Sequence, residues 1–87
     1  MDITIIESTG LSERVAQINQ KTYNNIKIAK GNTAFFPDGI PVIGVGEDPF
    51  DPDYILFIVA NDVPDNVMFV SSDVKKRHYS NRTILTF

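Results

Sequence analysis

The sequence predicts an α+β fold: one amphipathic helix over residues 11–23, packed on a mostly antiparallel sheet of five to six strands, in the order βαβββββ. Three observations lead there. A short β-branched run opens the chain, a stretch with helical apolar spacing follows, and the rest is a succession of short apolar runs separated by Pro, Gly, Asn and Asp. With 87 residues and no internal repeat or linker, the chain reads as one domain over 1–87.

Ile3 to Glu7 reads as a strand that ends at Ser8-Thr9-Gly10. Leu11, Val15, Ile18 and Thr22 then fall at spacings of 4, 3 and 4, which is one face of a helix, with Thr9 or Ser12 to cap its start and Asn24-Asn25 to end it. Ile26 to Lys30 begins with apolar and polar residues in alternation, as a half-buried strand does. Ile40 to Val45 is a weaker strand, placed at an edge because Pro41 donates no ladder hydrogen bond and Gly44 has no side chain to pack. Glu47 to Asp53 holds two prolines and four carboxylates and reads as a loop. Tyr54 to Ala60, the most hydrophobic segment, is expected to be a central strand, with Val67 to Ser71 returning across a turn as its hairpin partner. Asp73 to Asn81 is a polar connection, a long turn or a single helical turn, and Arg82 to Phe87 is the last strand. One helix covers only one face of such a sheet. The other face is left for solvent or a partner, with Phe35, Phe36, Phe50 and Tyr54 as residues expected on it.

Composition narrows the chemistry. The absence of cysteine excludes thiol nucleophiles, zinc fingers, iron–sulfur clusters and disulfide scaffolds. The longest wholly apolar run, Ile55 to Ala60, has six residues, far short of the roughly 20 of a membrane helix. The start, Met1-Asp2-Ile3-Thr4, has no basic leader and no long apolar stretch, so the expected location is the cytoplasm, of its own cell or of a host. His78 is the one histidine, and no GxSxG, GxGxxG or GxxxxGK[ST] pattern occurs. With no nucleophile, base and orienting acid at a recognisable spacing, the chain is expected not to be an enzyme and to need no cofactor.

The charge distribution is the positive signal. The formal net charge is only −3, yet residues 31–74 carry eight acids and no base, while residues 75–87 carry Lys75, Lys76, Arg77 and Arg82. An acidic chain with a predicted pI of about 4.8 repels a phosphate backbone, which excludes non-specific nucleic-acid binding. Within the acidic stretch, Glu47, Asp48, Asp51 and Asp53 surround Phe50 and lead to Tyr54, an aromatic anchor with a charged rim that suits a basic protein surface. The same carboxylates lack the glycine and the final glutamate of a calcium loop, so no metal is expected there. Lys75, Lys76 and Arg77 are candidates for contact with an anion or a partner.

These readings converge on a small protein-interaction domain, an inhibitor or regulator that meets a basic surface through its acidic, aromatic loop. Two alternatives stand beside it. One is a self-assembling component of a larger assembly, viral ones included, that joins copies through an edge strand or the uncovered sheet face. The other is a sensor for a small phosphorylated ligand held near Ser8-Thr9-Gly10 with help from Lys75 to Arg77.

Overall fold

The computed structural model describes residues 1–31, 36, 39, 42–43 and 54–87, without the side chains of 42–43. It is an α+β fold with the element order β1 (Asp2–Glu7), β2 (Val15–Ile18), α1 (Gln20–Lys30), β3 (Val42–Ile43), β4 (Ile55–Val59), β5 (Val67–Val70), α2 (Ser72–His78) and β6 (Ile84–Thr86). The strands form one sheet in the order β3-β4-β2-β5-β1-β6. The sheet is mixed rather than mostly antiparallel: β1/β5, β2/β4 and β3/β4 are parallel, whereas β1/β6 and β2/β5 are antiparallel.

The helix expected at 11–23 divides into a strand and the first turn of a later helix. Val15, Ala16 and Ile18 are all buried, because β2 lies in the interior of the sheet between β4 and β5, with Ala16 and Ile18 turned into the core. Four such residues satisfy either period, and the neighbouring strands decide. Arg14, at φ 67°, turns the chain into β2, and its carbonyl accepts from Leu56 N–H at 2.7 Å. Asn19 is extended (φ −84°, ψ 167°) and its side chain accepts from Thr22 N–H, so α1 starts after it. The helix then takes in Ile26 to Lys30, the stretch expected to be a strand, and buries Thr22 and Ile26 one turn apart. Gly31, at φ 62°, closes it by donating to the Lys27 carbonyl, and Lys27 and Lys30 in the last turn complement the helix dipole.

β5 is not the hairpin partner of β4. Both edges of β4 are taken, by β3 and by β2, and β5 instead pairs with β2 and β1. The link from Ala60 to Asn66 therefore crosses the end of β2, held by Ala60 N–H donating to Ile18 O at 2.8 Å and by the buried Val63. Asn66 completes it at φ 58°, with its carbonyl accepting from Thr4 N–H and its N–H donating to the Thr22 hydroxyl, both at 2.9 Å. Asparagine tolerates this left-handed backbone and β-branched residues do not. Asn66→Val is accordingly expected to lower stability by about 1–2 kcal/mol and Asn66→Gly by much less, a difference readable in urea denaturation midpoints.

The polar connection after β5 contains a second helix. Buried Ser71 caps α2 by accepting from Val74 N–H at 3.1 Å, and Val74 enters the core. Buried Ile3, Ile5, Ala16, Ile18, Ile26, Phe57, Met68, Val70, Val74, Tyr79 and Leu85 form one connected cluster with Phe36. Both helices contribute to this cluster, so both lie on the same side of the sheet.

Candidate functional site

The opposite side of the sheet is where the structure leaves chemistry unspent. Strand residues alternate between faces, and the register fixes which belong together. In β1 the buried Ile3 and Ile5 face the helices, so Asp2, Thr4 and Ile6 face away. Ile6 aligns with Phe69 on β5, Phe69 with Gln17 on β2, and Gln17 with Ile58 on β4, giving a row Ile58-Gln17-Phe69-Ile6 across four strands. On one side of it lies the pair Leu56-Val15, and on the other the row Val67-Thr4-Ile84. Ile6, Ile58 and Ile84 are 43%, 47% and 49% exposed, high for isoleucine in a strand. Phe69, Leu56, Val67 and Gln17 are half-buried, and Val15 is buried at the centre of the sheet. Asp2, at one corner, is the one charged residue on this face among the described strand side chains. Glu7 belongs to the other side, where its carboxylate accepts from Ser72 Oγ at 3.2 Å beside α2.

The predicted basic cluster lies on α2 and splits by role. Lys75 is half-buried and donates to the carbonyls of Tyr79 and Arg82, the latter at 3.1 Å, so its ammonium closes the C-terminal end of the helix. Arg77 meets Asp73 at 3.7 Å one turn back, and Lys76 is exposed. Ser8-Thr9-Gly10 does not open a helix, since β2 intervenes before α1; the anion nest expected at a helix start is therefore not formed there.

Of the acidic site, Tyr54 is half-buried at the bend that enters β4, and Glu47, Asp48, Phe50, Asp51 and Asp53 lie outside the described residues, as does Phe35. Phe36, expected on the uncovered face, is instead 2% exposed in the core, its ring centroid 5.8 Å from that of Phe57 in a tilted contact and 5.5 Å from that of Phe87 edge-on. Among the described residues no three His, Asp or Glu side chains gather as metal ligands, and no helix is long and apolar enough to cross a membrane.

A third feature joins α1 to the β4–β5 link. The Asn19 amide donates to Val63 O at 2.9 Å and to Asp65 Oδ1 at 2.7 Å, while Lys21 Nζ lies 3.3 Å from Asp65 Oδ2. The Asn19 hydrogen bond first, and then Lys21, hold the Asp65 carboxyl below its ordinary value. These bonds tie the start of α1 to the β4–β5 link.

The residues of the apolar face were not singled out from the sequence. Their signal is present in Ile55 to Val59, where an unbroken apolar run makes both faces of the strand hydrophobic although the described helices pack on only one. No protein-family model, curated protein or solved structure matches the chain.

Proposed function

We propose that the chain is a non-catalytic protein-interaction domain whose contact surface is the sheet face opposite its two described helices. The observation that carries this reading is the alignment of Ile6, Ile58 and Ile84, each more than two-fifths exposed, with Phe69, Val67 and Leu56 on adjacent strands, where Asp2 is the one charge among the described strand side chains. Isolated exposed apolar residues are ordinary; a contiguous patch on a sheet face marks a contact surface. The acidic loop, Glu47 to Asp53 with Tyr54, is a second reading, favoured by the eight acids without a base over residues 31–74 and directed at a basic partner.

Capture of binding partners on the immobilised protein separates the two. The double variant Ile6→Lys/Ile58→Lys is expected to weaken binding by at least about 30-fold, the effect of losing a buried anchor worth roughly 2 kcal/mol. The triple variant Asp48→Asn/Asp51→Asn/Asp53→Asn is expected to leave it within about threefold, as rim charges act mainly on association rates. The reverse pattern, with folding of both variants verified by circular dichroism, would transfer the site to the acidic loop.

A further inference from the structure

We draw no further inference here: the strongest candidate, the apolar patch of Ile6, Ile58, Phe69 and Ile84 on the sheet face opposite α1 and α2, belongs to the contact surface already proposed, and nothing in the structure shows what covers it.

Discussion

Phe57→Ala is expected to destabilise the fold by about 3–5 kcal/mol, the cost of deleting a buried aromatic side chain and leaving a cavity. The whole margin of an 87-residue domain is about 4–13 kcal/mol, so this variant stands near the limit of folding. The size of the effect follows from position. Phe57 is 4% exposed in β4 and is the middle of an aromatic chain: Tyr23 of α1 packs on it edge-on at 5.8 Å, Phe36 lies at 5.8 Å, and Phe36 in turn meets Phe87 at 5.5 Å. Removing the ring therefore loosens α1 and β4 directly and the C-terminal end through Phe36, and the Tyr23 and Phe36 contacts are lost with the buried area. Phe57→Leu keeps most of the volume and is expected to cost less than half as much. Urea denaturation reads both: the midpoint should fall steeply for Phe57→Ala with little change in slope, because the surface exposed on unfolding is almost the same. A loss under 1 kcal/mol would mean that the site collapses around the gap and that the aromatic chain does not hold these elements together.

The apolar runs mark most of the strands, because β1, β4, β5 and β6 are each bounded by turn-forming residues and each supplies buried side chains. What they do not carry is partnership. β4 and β5 are linked by a short polar segment, which by local rules is a hairpin, yet β2 lies between them. The information that inserts β2 is non-local: it is the pairing of Val15 to Ile18 with β4 along one edge and β5 along the other, which no four-residue window contains. The same insertion accounts for the misplaced helix. Once Val15 to Ile18 is claimed by the sheet, Asn19 is free to cap, and the helix moves on to Gln20–Lys30, where Tyr23-Asn24-Asn25 are interior residues despite their modest propensity. Tertiary pairing overrode local spacing.

The proposed contact surface is legible in part for a related reason. One helix is too few to cover both faces of a sheet, and α2, the second described helix, packs into the same core as α1. Which residues occupy the face depends on strand parity, and parity depends on register. Phe36 is large and adjacent to another aromatic, which suggests exposure at a contact site; the fold uses it in the core. Ile6 and Ile58, in contrast, look like core residues and stand on the outside. A shift of a strand by one residue exchanges these roles, so side-chain type alone cannot assign them.

Asn19→Ala is expected to lower stability by about 2–3 kcal/mol, from a lost helix cap worth about 0.5–2 kcal/mol and the lost hydrogen bond to the Val63 carbonyl. One side chain does both tasks, since its oxygen accepts from Thr22 N–H at 2.7 Å while its nitrogen donates to Val63 O and Asp65. Two further substitutions separate them. Asn19→Ser keeps a capping oxygen but is too short to reach across to the β4–β5 link, so it should recover only the capping share. Asn19→Asp keeps the cap and places a negative charge at the helix start, which is favourable there, but it replaces the amide beside Asp65 with a second carboxylate. The signs in pH then oppose. In the wild type the Asp65 value is lowered in the folded state, so its contribution is present above the unfolded-state value, near about pH 4, and is lost as pH falls through the lower folded value. In Asn19→Asp the carboxylate pair takes up a proton more readily when folded than when unfolded, so the variant loses stability as pH rises through that raised value. The gap in melting temperature between wild type and Asn19→Asp should accordingly be widest near neutrality and close toward about pH 3–4. Carboxyl carbon shifts followed by NMR give the same answer at the residue: Asp65 titrating below its ordinary value in the wild type, nearer to it in Asn19→Ala, and the pair above it in Asn19→Asp. A gap independent of pH would show that the Asn19 amide does not control the Asp65 charge, and that the link between α1 and the β4–β5 turn is held by the Val63 carbonyl, the Thr22 hydroxyl and the Lys21–Asp65 pair without it.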